Sequence, residues 1–183
     1  MAEINTEECA KGLIIIGDIT YIWLRGGKFA YLAIWQDKVM RRIIGWSLAP
    51  EVPQELVISA LQKAISKGLV KTGAIIHSDQ GSQYASNGFC RLLRRHGFRQ
   101  SMSGKGNCYD NAQAESFFSR FKAELIEGGV FEDIEQARSE IFSYIEGYYN
   151  RVRLHSSLGY KSPMEFEMEL QTKKGGIKRQ FFI

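Results

Sequence analysis

The pattern of apolar and polar residues predicts a group of strands at the start of the chain. Residues 13–24 are β-branched, aliphatic and aromatic, which is typical of a buried strand. Gly26 and Gly27 indicate a hairpin, and further strands are predicted over Lys28–Trp35 and Val39–Leu48. The simplest arrangement of these three strands is an antiparallel meander.

Helical and strand patterns then alternate. Pro53 and Gly68 bound a predicted helix with a single apolar stripe. A short buried strand over Gly73–Ser78, a helix over Asn87–His96 and a short strand over Phe98–Met102 are expected next. This order predicts an α/β fold in which a central sheet carries helices on its faces.

Two helices are predicted in the last third of the chain. Asp110 and Gln113 have the spacing of a capping box, and the helix that follows is expected to end near Leu125. A long helix is predicted over Ile134–Tyr149. From Asn150 onward the periodic pattern is lost.

Composition favours one globular domain, since 44% of the 183 residues are hydrophobic. The longest aliphatic run, Leu13–Ile16, is far shorter than the ~20 residues of a membrane span, so no membrane partner is expected. Residues 1–12 are polar and do not resemble a signal peptide. The three cysteines lack zinc or redox spacing, which favours reduced thiols and a cytoplasmic location.

The positive charge is unevenly distributed. The net charge is +4, yet no Asp or Glu occurs between Gln80 and Tyr109, where five Arg and Lys residues lie. Such a region suits a polyanion, although an ordinary solvated surface explains the charge slightly better.

Three carboxylates are candidates for a metal site. Asp18 lies within an apolar strand, Asp79 ends a buried strand, and Glu115 falls early in a helix. Each also has a structural explanation, namely a bulge, a turn or a favourable helix-dipole interaction. Together they form a hard-oxygen ligand set that selects Mg²⁺ or Mn²⁺, with up to two ions in a phosphoryl-transfer site.

Two further residues accompany these carboxylates. Lys122 shares a helix face with Glu115 and lies ~10 Å further along it, where it suits a phosphate backbone or an ordinary surface position. His77 points to the same side of its strand as Asp79, so it either supports the site or belongs to the core. No P-loop, dinucleotide fingerprint, zinc motif or Ser-His-Asp signature is present.

Several motifs resemble the bacterial insertion-sequence transposases whose catalytic domain is related to retroviral integrases. The gap of 35 residues between Asp79 and Glu115 also matches that family. The matching stretches are Asp18–Ile22, Arg42–Trp46, His77–Tyr84, Ser101–Phe118, Tyr148–Arg151, His155–Tyr160 and Ser162–Pro163.

This resemblance implies a ribonuclease-H-like fold with a mixed five-stranded sheet and helices on both sides. It also implies that Asp18, Asp79 and Glu115 form the metal-binding catalytic triad and that residues 102–110 form a flexible loop beside it. Lys122 matches a basic position that is expected to contact DNA. Further candidate DNA contacts are Lys105, Arg151, Arg153 and His155, and Asn111 joins His77 as a candidate supporting residue.

The implied chemistry is cleavage and transfer of DNA strands. A metal-activated water frees a 3′-hydroxyl at an element end, and that hydroxyl attacks a second phosphodiester in target DNA. The resemblance implies a homo-multimer on DNA and a cytoplasmic, nucleoid-associated location. Two alternatives stay open: a catalytically silent DNA-binding remnant, and a stand-alone nuclease of the same fold that cleaves RNA–DNA hybrids.

The start of the chain departs from the pattern. Ile15 stands where family members usually carry tryptophan, and only residues 1–12 precede the catalytic core, expected over 13–168. A basic tail is expected over 169–183. Because the family carries helix-turn-helix regions upstream, we expect either a shortened reading frame or a product that works with a helix-turn-helix partner from an upstream frame.

Overall fold

A mixed five-stranded sheet forms the centre of the protein, in the order β3-β2-β1-β4-β5. The computed structural model describes residues 14–103, 112–126 and 130–179. The strands are β1 (Ile14–Leu24), β2 (Lys28–Asp37), β3 (Ile43–Ala49), β4 (Ile75–Ser78) and β5 (Arg99–Met102). The first three form the predicted antiparallel meander, whereas β4 pairs in parallel with both β1 and β5. The predicted mixed sheet is therefore confirmed.

Five α-helices and one π-helix are present in the described part of the chain. They are α1 (Gln54–Ser66), α2 (Asn87–Arg95), α3 (Ala112–Leu125), α4 (Ile134–Phe142), the π-helix (Ser143–Tyr149) and α5 (Pro163–Arg179). None of the described helices is long and apolar enough to cross a membrane.

Each face of the sheet has its own core. On one face α1 and α2 cover a cluster that includes Trp35 and Tyr84. On the other face, α3, α4 and the π-helix cover a cluster that includes Phe117 and Phe121. Alternate side chains of β1 enter opposite clusters, as the period of two in a strand requires. The helices therefore lie on both faces, as predicted.

The hairpin between β1 and β2 forms where Gly26 and Gly27 predict it. Both glycines have positive φ angles, of 76° and 71°. Glycine adopts this left-handed conformation without a steric penalty, so the tight connection is compatible with the sequence.

β3 begins four residues later than its apolar pattern suggests. The Asp37 carboxylate accepts hydrogen bonds from the backbone N–H groups of Val39 and Met40, both at 2.8 Å. These bonds hold a turn, and Arg41 within it has a φ of 60°. The strand therefore starts at Ile43 rather than at Val39.

The long helix predicted to end at Tyr149 changes type part-way. It is α-helical as far as Phe142 and π-helical from Ser143. The N–H of Asn150 bonds to the carbonyl of Ile145 at 3.1 Å, which is an i→i+5 connection. The wider turn buries Tyr144, Ile145 and Tyr149 together.

α5 was not predicted from periodicity. Its start nevertheless carries a capping box, because the Glu165 carboxylate accepts from the N–H of Ser162 at 2.8 Å and the Ser162 hydroxyl accepts from the N–H of Glu165 at 3.3 Å. The helix runs across the predicted start of the basic tail at residue 169.

Candidate active site

Asp18 lies on β1, and Asp79 directly follows β4, the parallel neighbour of β1. The last pair in the β1–β4 ladder joins Ile16 to His77, and each aspartate follows two residues after its member of that pair. Because side chains alternate along a strand, both carboxylates are expected on the same side of the sheet. The ladder ends at this pair, so the strands separate where the two aspartates occur.

Local hydrogen bonds orient both carboxylates. Oδ1 of Asp18 accepts from the N–H of Ile19 at 2.8 Å, and Oδ1 of Asp79 accepts from the N–H of Gly81 at 2.9 Å. Asp79 therefore stabilises the turn that follows β4 while its side chain stays exposed. Asp79 can stabilise the turn and also act as a metal ligand, because the hydrogen bond from Gly81 uses only Oδ1 and Oδ2 takes no part in it.

Tyr84 connects the two aspartates electrostatically. Its side chain is 1% exposed, and its hydroxyl has no hydrogen-bond partner among the described residues. Burial raises the pKa of Tyr84 well above its usual value, and the negative charges of Asp18 and Asp79 raise it further. The same phenol thus lies within the field of both carboxylates, and its hydroxyl is left to bond a further group.

A close contact fixes the backbone before Asp18. The indole ring of Trp35 lies against Gly17, where an added Cβ would meet a ring carbon at 2.3 Å. Trp35 itself is held by a hydrogen bond from Nε1 to the carbonyl of Val57 at 3.1 Å and by stacking on Phe89. Only glycine at position 17 allows β1 to approach this ring.

Glu115 is exposed on α3, directly after the buried Ala114. This helix packs against β1, the strand that carries Asp18. Across residues 14–103, 112–126 and 130–179, no three His, Cys, Asp or Glu side chains are grouped closely enough to hold one metal ion. The charges of the two aspartates thus act on the same phenol, whereas Glu115 belongs to no three-ligand cluster within the described residues.

Lys122 lies beside the same strand. Its Nζ is 4.6 Å from the ring centre of Tyr21, three residues after Asp18. This cation–π contact holds the ammonium group near β1, on the helix that also carries Glu115. The lysine is partly buried, so its position is better defined than that of an ordinary surface lysine.

His77 is held in the core between two strands. It is 1% exposed, with Nδ1 at 3.0 Å from the Ser101 hydroxyl and Nε2 at 3.2 Å from that of Ser103. Because both ring nitrogens have hydroxyl partners, the imidazole ties β4 to the end of β5. It thereby helps to fix the end of β4, two residues before Asp79.

Sequence profiles of known families match most of the chain. One profile described as an integrase core domain matches residues 10–108, more than half of the chain. A second profile with the same description matches residues 96–163. The chain belongs to the integrase core domain family.

Curated relatives of this integrase core are transposases. It is 46% identical over 158 residues to the transposase for insertion sequence element IS904 of Lactococcus lactis, covering 86% of this chain and 62% of that protein. It is 45% identical over 151 residues to the transposase InsF for insertion sequence IS3A of Escherichia coli K12, covering 82% of this chain and 52% of that protein. The chain therefore spans less than two thirds of the length of these relatives.

Solved structures show the same fold at low sequence identity. The catalytic core domain of BIV integrase superposes with a TM-score of 0.61 and 17% identity, covering 89% of this chain and 98% of that one. The HTLV-2 integrase catalytic core domain, solved in complex with magnesium, superposes with a TM-score of 0.57 and 15% identity, covering 85% and 95%. The integrase core thus has the predicted ribonuclease-H-like fold.

The candidate DNA contacts near the C-terminus separate in the structure. Arg151 is exposed and its Nε donates to the carbonyl of Glu146 at 3.0 Å. Arg153 and His155 instead line a cavity of about 340 Å³. Lys105, Asn111 and most of the loop predicted over 102–110 lie outside the described residues.

We call this cavity the basic pocket. The lining residues that matter below are Gln36, Arg41, Gln113, Arg120, Arg153 and His155. Arg153 makes a forked ion pair with Glu124, donating from Nε and Nη2 at 3.0 and 2.8 Å. Burial opposes the charged form of Glu124, but the hydrogen bonds from Arg153 and Tyr144 outweigh it and lower the Glu124 pKa.

Sequence reasoning missed Tyr84, Arg41 and Arg120. Tyr84 belongs to the matched stretch His77–Tyr84, so its place in a family motif was visible although its relation to the aspartates was not. Arg41 reaches the basic pocket only because of the turn after β2. Arg120 lies four residues after Ser116, which also lines the pocket, and that helical spacing was the available indication.

Proposed function

We propose that this integrase core is the catalytic part of an enzyme that cuts and transfers DNA strands, with Asp18, Asp79 and Glu115 as ligands of a divalent metal ion. The observation that carries the proposal is that Asp18 and Asp79 each stand two residues beyond the last pair of the β1–β4 ladder. Family membership and the two curated transposases support the same activity.

The residues fit Mg²⁺ or Mn²⁺ better than a soft metal. Carboxylate oxygens are the ligands these ions prefer, and the buried Tyr84 hydroxyl lacks a partner within the described residues beside both aspartates. The HTLV-2 integrase core was solved with magnesium. When bound, one or two such ions would activate the attacking oxygen and neutralise charge on the phosphate.

The side chains of the protein would bind the metal ion and position the DNA. Asp18 and Asp79 would hold the ion from the two strands, and Glu115 would complete the ligand set from α3. Lys122 would bind a phosphate of the DNA backbone, since its ammonium group is held beside β1. Catalysis would then rest on positioning and charge stabilisation, which requires no covalent protein–DNA intermediate.

A strand-cleavage assay tests this proposal. The substrate is a labelled duplex that carries the terminal sequence flanking the gene, incubated with Mg²⁺ or Mn²⁺ and supercoiled target DNA. We expect nicked and joined products that need the metal and disappear in Asp18→Asn, Asp79→Asn and Glu115→Gln. Glu51→Gln removes an exposed carboxylate outside the site and is expected to keep full activity.

The outcomes separate the alternatives. Activity that survives Asp79→Asn or Glu115→Gln would falsify the ligand assignment. Salt-dependent DNA binding without cleavage would indicate a silent DNA-binding remnant. Cleavage of an RNA–DNA hybrid without strand joining would indicate a stand-alone nuclease.

The partners of the active protein are part of the same proposal. We propose element-end and target DNA as substrates, a homo-multimer assembled on DNA, and a helix-turn-helix partner that selects the ends. The relatives are longer than this chain, which leaves room for such a region in them. The predicted domain boundaries and the cytoplasmic, nucleoid-associated location stay predictions.

A further inference from the structure

The basic pocket lies on a different face of α3 from the candidate active site. Gln113, Ser116 and Arg120 line the pocket, whereas Glu115 and Lys122 project from the helix roughly 140° away, at ~100° per residue. The pocket is completed by the turn after β2 and by residues 153–157 and 160. It is therefore a second concave site on the helix that carries the third proposed metal ligand.

Three arginines give this pocket its charge. Burial and the nearby charges of Arg153, Arg41 and Arg120 together lower the pKa of His155 to about 4. All three guanidinium groups therefore lie close to one imidazole. Glu124 pairs with Arg153 and also interacts with the charge of Arg120. No Asp or Glu is among the described residues that line the pocket, and no ion pair of Arg41 or Arg120 is present in the described part of the chain, so both can meet a bound anion. Guanidinium groups bind phosphate oxygens well because their N–H groups match that geometry.

The pocket also contains two buried amide oxygens, which need a hydrogen-bond donor that an anion cannot supply. Gln36 is 1% exposed, and its Nε2 donates to the carbonyl of Arg41 at 2.9 Å and to the hydroxyl of Tyr149 at 3.0 Å. Because the Arg41 carbonyl can only accept a hydrogen bond, the nitrogen of the Gln36 amide must face it, and the positions of Nε2 and Oε1 are therefore fixed. Its Oε1 is left without a hydrogen-bond partner in the described part of the chain, as is Oε1 of Gln113. Buried acceptors of this kind call for an N–H or O–H donor.

An aromatic ring stands at the rim. Tyr160 lines the pocket and is 73% exposed, with a left-handed φ of 57°. Bases of single-stranded nucleic acids stack on exposed aromatic rings of this kind.

From these groups we infer that the basic pocket binds one unpaired nucleotide of a DNA strand, with its phosphate at Arg41 and Arg120, its base N–H groups at the amide oxygens of Gln36 and Gln113, and its ring near Tyr160. The cavity volume of about 340 Å³ is at the scale of small-ligand sites. An unpaired nucleotide fits because only an unstacked base can lie against the Tyr160 ring, and because unpairing frees the base-edge N–H groups that a duplex leaves only partly accessible in its grooves. That the nucleotide belongs to DNA rests on the proposed function.

Binding to DNA ends tests the inference without requiring catalysis. The full chain is titrated, with no divalent metal, into two labelled duplexes that differ only in a single-stranded overhang of a few nucleotides. We expect the overhang to be bound about tenfold more tightly, which is the effect of one base contact of about 1.4 kcal/mol. Arg120→Gln and Tyr160→Ala are expected to abolish this preference and leave the blunt duplex affinity within about threefold.

Matched controls separate the pocket from general DNA binding. Arg91→Gln removes an exposed arginine on α2, and Tyr148→Ala removes an exposed tyrosine outside the pocket, so both are expected to keep the overhang preference. The melting temperature of each variant is measured as well, and the overhang preference is compared only among variants that melt at the wild-type temperature. Both pocket side chains are exposed, so the fold is expected to persist.

Two results would overturn the inference. One is an overhang preference that is absent in the wild type or unchanged in both pocket variants. The other is a free deoxynucleoside monophosphate that binds the pocket at micromolar concentration while the overhang gives no preference, which would indicate a small-molecule site. If cleavage fails with every metal but the overhang preference depends on Arg120, the proposed function fails and nucleotide binding stands.

Discussion

The side-chain amide of Asn150 bonds to both backbone polar groups of Ile43. Oδ1 accepts from the N–H of Ile43 and Nδ2 donates to its carbonyl, both at 3.0 Å. Asn150 is 2% exposed and follows the π-helix, while Ile43 is the first residue of β3. The Asn150 amide thus makes the two hydrogen bonds that a neighbouring strand would make with the first residue of β3. It thereby joins the helical layer to the sheet.

Asn150→Ala is expected to lower the free energy of unfolding by about 2–4 kcal/mol, because two buried backbone groups lose their partner. Chemical denaturation monitored by circular dichroism measures the change. Asn87→Ala, at an exposed position on α2, is expected to shift it by less than about 0.5 kcal/mol. Equal stability of Asn150→Ala and the wild type would show that other groups replace the amide.

Gly17→Ala is expected to lower the free energy of unfolding by about 1–3 kcal/mol, because the new methyl group meets a Trp35 ring that cannot move aside. Since Asp18 follows directly, DNA cleavage should fall further than the loss of folded protein accounts for. Gly147→Ala is the matched control: no atom lies within 4 Å of its Cβ position, and it should leave stability unchanged or raise it by ~0.5–1 kcal/mol. A Gly17→Ala protein as stable as Gly147→Ala would contradict the contact.

Tyr84→Phe is expected to raise the free energy of unfolding by about 1 kcal/mol in metal-free buffer, because it removes a buried hydroxyl with no partner in the described residues. Tyr149→Phe removes a buried hydroxyl that accepts a hydrogen bond from Gln36, so it should lower stability by about 1 kcal/mol. Opposite signs in paired denaturation curves support the assignment. A loss of stability in both variants would mean that Tyr84 has a partner in the fold.

The stability of the fold is expected to depend on His155 in acid. Burial and the neighbouring arginines lower its pKa from 6.5 to about 4, so between these values the unfolded chain binds more protons than the folded one. Stability should therefore fall as the pH drops from 6.5 toward 4, with no contribution from His155 above that range. The groups that set this shift are Arg153, Arg41 and Arg120, opposed by Glu124.

Comparison with His155→Gln isolates this contribution. The free energy of unfolding, measured at intervals from pH 4.5 to 7.5, should decline less steeply for the variant below pH 6.5 and run parallel to the wild type above it. Identical slopes across the whole range would show that His155 does not titrate differently in the folded and unfolded states.

The strands of the first hairpin and β4 followed directly from the sequence, whereas the mixed five-stranded sheet was implied by the family resemblance and the role of the two aspartates stays a prediction. The apolar runs of β1 and β4 and the glycines of the first hairpin are local features, and a period of two in a buried strand is decided by the strand itself. Asp18 and Asp79 were recognisable because a carboxylate within or at the end of such a run is unusual. The parallel pairing of β1 with β4, which brings the two aspartates to neighbouring strand ends, was not predicted.

The basic pocket could not be predicted from the sequence, because its residues meet through long-range packing. Arg41 and Arg120 are 79 positions apart in the chain. Arg41 enters the pocket through a turn set by the Asp37 carboxylate, and no periodic pattern describes that turn. The change from α-helix to π-helix was equally hidden, since it depends on what Tyr144 and Tyr149 pack against rather than on local preference.

The π-helical segment also constrains how this protein can change by insertion or deletion. A π-helix holds one residue more than an α-helix of the same turn count, so loss of Gly147 from Ser143–Tyr149 would restore α-helical winding rather than open a gap. Because the shorter α-helical segment would complete about the same number of turns, the residues after the deletion would keep roughly their present orientation. Tyr149 would then stay at the basic pocket and Asn150 at Ile43, so this segment is where the fold best tolerates the loss of a single codon.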